Sequence, residues 1–165
     1  MSHFKFVHDV NADPERFWEV FFDDAYNQAV YKYVNVKERQ FLDLQDDGVL
    51  KTWKLRVFPQ RDLPDFVKKV VKGDLGYIEH GSMKKGSNRI ESRIEPTLFK
   101  DKTKISASFS IEPIAPGKVR RTFEGDVEVS FPLVGGKVEK LILADMEKAY
   151  DQIAAFTNEW LATHG

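Results

Sequence analysis

The sequence predicts an α+β fold in which helices pack against one face of an antiparallel sheet. Three observations carry this prediction. Strand-like and helix-like runs are segregated rather than alternating, a Gly-containing turn joins two alternating runs into a hairpin, and residues 133–162 carry one continuous apolar stripe at helical spacing. No linker, repeat or low-complexity tract divides the chain, so residues 1–165 are expected to form a single domain.

The elements follow in order. Phe4, Phe6, His8 and Val10 alternate with Lys5, Val7 and Asp9, the period of a first strand. Asp13 can then cap a helix and Pro14 suits its first position, after which Phe17, Trp18, Phe21, Phe22, Ala25 and Tyr26 recur every three or four residues. The helical region ends between Tyr26 and Tyr33, with a break at Asp23-Asp24. Alternation returns from Val34 to Leu44, placing Val34, Val36, Leu42 and Leu44 on one side and Lys37, Arg39 and Asp43 on the other. The turn Gln45-Asp46-Asp47-Gly48 leads into a second strand with Val49, Lys51, Trp53, Leu55 and Val57 in phase, ended by Pro59.

From Leu63 to Gly73 a short amphipathic stretch sets Phe66, Val67, Val70 and Val71 beside Lys68, Lys69 and Lys72. Strand-like runs follow at Tyr77–Lys84, Arg89–Ile94 and Lys104–Glu112. The longest strand runs from Lys118 to Phe131, with Val119, Arg121, Phe123, Gly125, Val127, Val129 and Phe131 on one face. Pro132 ends it. The final helix, Leu133–Ala162, carries Val138, Ile142, Met146, Ala149, Ile153, Phe156 and Trp160 on its stripe and is roughly 45 Å long at 1.5 Å per residue.

Composition narrows the function. Lys+Arg 25 against Asp+Glu 26 leaves a formal net charge of -1, which supplies no positive field for nucleic acid or an anionic membrane, so no nucleic-acid partner is expected. The absence of Cys removes thiolate catalysis, disulfides and Fe–S clusters. Thirteen Phe, five Tyr and three Trp are a large load of rings for one small domain and point to a large apolar interior or a ring-lined cavity. The first residues have no apolar signal-peptide core and no segment is long and apolar enough to span a bilayer, so the expectation is a soluble, cytoplasmic protein.

Motifs for common chemistries are missing. There is no Walker loop, Rossmann fingerprint, nucleophile elbow or HExxH. Gly135-Gly136 reads as a close approach or tight entry to the last helix. Asp43, Asp47 and Gly48 resemble part of an EF-hand loop, but Gln45 and Lys54 occupy ligand positions, so the segment is a hairpin turn. His3, His8, His80 and His164 are scattered, so no metal site and no cofactor are expected. His80, beside Glu79 on a central strand, and Asp145, at the edge of the last helix's stripe, are the acid–base candidates if they face a cavity.

This order of elements resembles the START-like (SRPBCC, helix-grip) superfamily, in which a curved antiparallel sheet wraps a long C-terminal helix around a deep apolar cavity. The resemblance spans nearly the whole chain. Its most specific part is the run Val127-Glu128-Val129-Ser130-Phe131-Pro132-Leu133-Val134-Gly135-Gly136-Lys137-Val138-Glu139-Lys140, strand into helix through a Pro and paired Gly. Leu63-Pro64-Asp65-Phe66 after the third strand matches an uncharacterised bacterial subfamily, and Ala12-Asp13-Pro14-Glu15-Arg16-Phe17-Trp18 matches the superfamily's opening.

The resemblance implies binding, and possible transport, of a lipid, sterol, polyketide or similar hydrophobic small molecule, with no catalytic motif to carry over. Trp53, Leu55, Val57, Phe109, Ile111, Phe123 and Val127 from the sheet, and Met146, Ala149, Ile153 and Phe156 from the last helix, are the expected cavity wall. Phe66 is expected at the entrance, where Leu63 to Lys72 could make transient membrane contact. The wall so composed is apolar with few hydrogen-bond donors. Two alternatives stand beside this reading: a cyclase- or hydratase-type enzyme using His80, Glu79 or Asp145, and a protein-interaction module.

Overall fold

A computed structural model describes residues 1–59, 65–69, 76–97 and 99–165. The first strand, β1 (Ser2–Val10), leads into α1 (Pro14–Phe21) and α2 (Asp24–Tyr33), and a hairpin of β2 (Val36–Asp46) and β3 (Leu50–Pro59) follows. After the short α3 (Asp65–Lys68) come β4 (Tyr77–Lys84), β5 (Arg89–Pro96), β6 (Thr103–Ala115) and β7 (Lys118–Val129), and the chain closes with α4 (Gly135–Thr163). The fold is α+β, a helix-grip arrangement. The seven strands among the described residues are antiparallel throughout in the order β1-β7-β6-β5-β4-β3-β2.

Local chemistry sets the boundaries. The break between α1 and α2 has a cause in Asp23, whose carboxylate accepts the Tyr26 N–H at 2.8 Å and caps the second helix. Asp13 stands at the N-cap of α1 but makes no side-chain cap bond; its carboxylate instead accepts the Gly117 N–H at 2.8 Å, pinning the helix entry to the β6–β7 turn. In the β2–β3 turn, Asp47 Oδ1 accepts the N–H groups of Val49 and Leu50, each at 2.8 Å, while Gly48 takes a φ of 86° that disfavours any side chain.

The alternation expected for β2 changes partway along. Register shifts at Val36/Glu38 and Phe41/Asp43 bring Arg39, Phe41 and Leu44 opposite Val57, Leu55 and Trp53. Arg39 therefore shares the inner face rather than the outer one, because each extra residue in one strand reverses the side on which the following side chains emerge.

The inner face holds the core. Phe4, Val10, Leu55, Val57, Ile105, Ile111, Val119 and Val127 are all buried there. Gly125 is required by close approach: a Cβ at this position would overlap the Ser106 carbonyl of the neighbouring strand and press on the Phe4 ring. Gly135 likewise meets the Val129 carbonyl, which lets the first turn of α4 rest directly on the end of β7, as the paired Gly predicts. Glu139 completes that junction. Its side chain is almost fully buried, accepting the Val129 N–H at 3.1 Å and the Ser2 hydroxyl at 2.6 Å, so one carboxylate ties the helix to both β7 and β1.

Removing this junction has a predictable cost. Glu139→Ala leaves the Val129 N–H without its partner and should destabilise the fold by about 1–3 kcal/mol in chemical denaturation at pH 7. The Ser2 hydroxyl, then the Val129 N–H, hold the Glu139 carboxyl below its ordinary value. Its contribution is thus complete above the unfolded carboxylate pKa and lost as pH falls through the lower folded value, so wild-type and variant unfolding midpoints should converge in acid.

Candidate functional site

A cavity of about 200 Å3 lies between the inner sheet face, α1–α2 and the middle of α4. Its aromatic wall comes from two directions. Phe17 and Phe21, one helical turn apart on α1, approach Phe109 of β6 with ring centroids 6.1 and 5.3 Å away. Phe123 of β7 stacks on Tyr150 of α4 at 4.3 Å with planes 13° apart. At the mouth, Phe22, Phe41 and Leu44 are partly open to solvent, and Lys51 Nζ sits 3.7 Å from the Phe22 ring centroid.

The interior carries more polar groups than the sequence pattern suggests. Glu79 reaches the inner face because Tyr77, Glu79 and Gly81 share one side of β4, opposite Val57, Leu55 and Trp53. Gly81 matters here: a Cβ would collide with the Trp53 indole, which lies across the strand and donates through Nε1 to Glu79 Oε2 at 3.3 Å. Ser92 donates to the other carboxylate oxygen at 3.1 Å. Burial still dominates and raises the Glu79 pKa, since removing a carboxylate from water disfavours its charged form.

Two guanidinium groups line the same cavity. Arg39 lies over the rings of Tyr31 and Phe41, at 4.4 and 4.9 Å from their centroids. Arg121 is 3% exposed, and its Nη2 donates to His8 Nδ1 at 3.0 Å and to the Tyr150 carbonyl at 3.1 Å. The Nε atoms of both are buried without a hydrogen-bond partner. Burial lowers the Arg121 pKa and raises those of Tyr31 and Tyr150. Tyr26 is satisfied, its hydroxyl 2.6 Å from Thr157 Oγ1.

The residues expected from sequence are distributed as follows. Trp53, Leu55, Phe109, Phe123 and Ile153 line the cavity. Val57, Ile111 and Val127 are buried in the sheet core beside it, and Met146 packs partly buried against that core. Ala149 is half-buried on α4, while Phe156 belongs to a second cluster with Tyr26 and Trp160. Phe66 is 39% exposed on α3. Of the entrance stretch Leu63 to Lys72, residues 63, 64 and 70–72 lie outside the described residues.

The expected acid–base candidates separate. Glu79 lines the cavity, whereas His80 faces the opposite side of the sheet, with Nε2 3.3 Å from Glu95 in an open polar groove shared with Asp43, Lys54 and Arg93. Asp145 is not among the described lining residues. Arg121 is visible in the sequence as a lone charge within the apolar face Val119 to Phe131; Arg39 is hidden by the irregular register of β2, and Tyr31 and Tyr150 by their setting on helices. No group of three His or acidic residues among those described is placed to hold a metal ion, and no described helix is long and apolar enough to cross a membrane.

Comparison with known proteins agrees with this architecture. Residues 5–161 match the family described as "Protein of unknown function (DUF2505)", and the chain belongs to that family. An uncharacterized protein of Mycobacterium tuberculosis is 25% identical over 126 residues, 74% of this chain and 71% of the relative. Among solved structures, a protein from Thermus thermophilus superposes with a TM-score of 0.69 at 13% identity, covering 99% of each chain. A START superfamily protein from Mycobacterium smegmatis gives 0.59 at 21% identity, over 93% of this chain and 97% of its own. The Zhui aromatase/cyclase of a Streptomyces species gives 0.64 at 12% identity, over 96% and 92%. These likenesses show the fold: a curved antiparallel sheet gripping a long C-terminal helix.

The buried carboxylate yields a signed prediction. A folded-state pKa above the unfolded one means the native state binds the extra proton, so stability falls as pH rises from the ordinary carboxylate range through the raised Glu79 value. Glu79→Gln keeps an acceptor oxygen for Trp53 and places its amide N–H to donate to the Ser92 hydroxyl, without the charge. Its thermal midpoint should exceed that of the wild type at pH 8 and match it near pH 4.

Proposed function

We propose that this protein binds a hydrophobic small molecule in the cavity between the sheet and α4, and carries it rather than transforming it. The observation that supports this most is the cavity itself: ring-lined walls from α1, β6 and β7, closed by Tyr150 and Ile153 and opening at the apolar rim of Phe22, Phe41 and Leu44. Native interiors leave few voids of this size. The space of about 200 Å3 exceeds the ~150 Å3 apolar cavity known to take up benzene but lies below the 300–1,000 Å3 of ordinary ligand pockets. It suits a single ring or a short chain, with longer ligands extending past the rim.

Transfer of ligand surface supplies the driving force. Burial of ~300 Å2 of apolar ligand area at roughly 25 cal/mol per Å2 gives about 7 kcal/mol before the losses of association. A lipid is one candidate class, and the described part of the entrance stretch, with Phe66, Lys68 and Lys69 exposed, is compatible with brief contact at a membrane surface.

Glu79 favours a second reading. A cavity carboxyl held toward its neutral form by burial is suited to donate and recover a proton, as a cyclase or hydratase would require. The two readings differ in what leaves the protein: an unchanged ligand or a product.

Native mass spectrometry of the purified chain, followed by extraction and identification of the adduct, tests the binding reading. A discrete noncovalent mass, recovered unchanged, is the expected result. Ile153→Trp pushes a larger side chain into the cavity; it should abolish the adduct or weaken rebinding at least tenfold while costing about 1–3 kcal/mol of stability. A clean apo mass that persists after incubation with a mixed lipid extract would overturn the proposal.

A further inference from the structure

We infer that the cavity selects a monoanionic amphiphile, a carboxylate attached to a short apolar chain or single ring, with the carboxylate received by Arg121. The inference rests on the binding reading above and adds the charge and polarity of the ligand's head.

Charge bookkeeping inside the cavity motivates it. Arg39 and Arg121 bring two guanidinium groups to the wall, and guanidinium remains protonated in proteins. Glu79 is the one carboxylate among the described lining residues of the inner wall, and it is already engaged by Trp53 and Ser92. At the rim, Asp24 and Lys51 oppose each other in sign. Behind the wall, Asp151 is largely exposed and reaches Arg121 only through His8, whose Nε2 lies 2.7 Å from Asp151 Oδ1. The lining thus carries an excess of positive charge. Arg121 forms no ion pair among the described residues, although it is 3% exposed.

A buried, unpaired guanidinium is costly, and burying one with an unused N–H costs more. The Arg121 Nε–H is such a donor. Its Nη2 is occupied by His8 and the Tyr150 carbonyl, and the group lies within 5.8 Å of the Phe109 and 5.5 Å of the Tyr150 ring centroids, so its position is fixed before any ligand arrives. A carboxylate supplies both missing items, a negative charge and an acceptor lone pair, as a single charge-assisted bond, since both Nη2 hydrogens are already spent. The apolar part of such a ligand would lie against Phe109 and Phe21 and leave by the Phe41 and Leu44 rim.

Isothermal titration of the full chain with octanoate, 1-octanol and octylamine at pH 7.5 tests this directly. Octanoate should bind at least tenfold more tightly than 1-octanol, and octylamine most weakly. Arg121→Gln should bring octanoate down to the affinity of 1-octanol while leaving 1-octanol little changed. A measurement free of any variant uses octanoate labelled with 13C at the carboxyl: paired with a guanidinium, the bound carboxyl titrates below its free value. Equal wild-type affinity for octanoate and 1-octanol, or a bound carboxyl titrating above its free value, would overturn the inference and leave the binding reading standing. Failure of all three probes to bind would overturn both.

Discussion

The placement of α4 governs the rest of the molecule. The helix packs chiefly on β1 and β7, at one end of the seven-strand order, and not on the sheet's centre. Glu139 sets that seat by joining the first turn of α4 to Ser2 and to the Val129 N–H, and Gly135 permits the backbone approach. A helix held to one side leaves the inner faces of β3 to β6 largely without α4 above them. Their exposed apolar surface must be buried some other way, and α1 and α2 supply Phe17, Phe21, Phe22, Tyr26 and Tyr31 over the gap. Large rings on a curved surface fill space imperfectly, and the cavity is what they leave.

Within that space the polar groups are organised by the sheet register. Trp53, Gly81 and Ser92 stand in successive paired positions across β3, β4 and β5, and Glu79 lies one inner position along from Gly81. Without the bare Gly81 the indole could not lie flat enough to reach the carboxylate. The same logic applies to Arg121, paired with His8 on β1 and Ile111 on β6. Both charged groups are therefore fixed by strand geometry, which is more rigid than a loop.

Much of this arrangement is legible in the sequence. The alternation from Lys118 to Phe131 fixes the strand and the inward side of Arg121, and the run from Pro132 to Gly136 marks the entry to α4. Five expected wall residues, Trp53, Leu55, Phe109, Phe123 and Ile153, line the cavity because period-two and period-3.6 patterns report which side is buried. What those patterns do not report is whether a buried residue meets another side chain or a void. Val57, Ile111 and Val127 obey the same alternation as their lining neighbours yet lie in the packed core beside the cavity. Arg39 is hidden for another reason. The register shift between Val36 and Glu38 reverses its side relative to Val36, a second between Phe41 and Asp43 restores phase with Leu44, and nothing in the residues from Val36 to Leu44 announces either.

The His8 tautomer follows from its two neighbours. Arg121 can only donate, so His8 Nδ1 must accept, and the proton on the ring sits at Nε2, where Asp151 receives it. The imidazole thus acts as a neutral spacer between a buried cation and a solvated carboxylate. Asp151 orients the ring and stabilises Arg121 at a distance without accepting its Nε–H. A carboxylate placed directly on Arg121 by the chain itself would have paired the guanidinium's charge and its Nε–H. Interposing His8 keeps the arginine in position and leaves its Nε–H without a protein acceptor, the condition on which the proposed pairing with a carboxylate ligand depends.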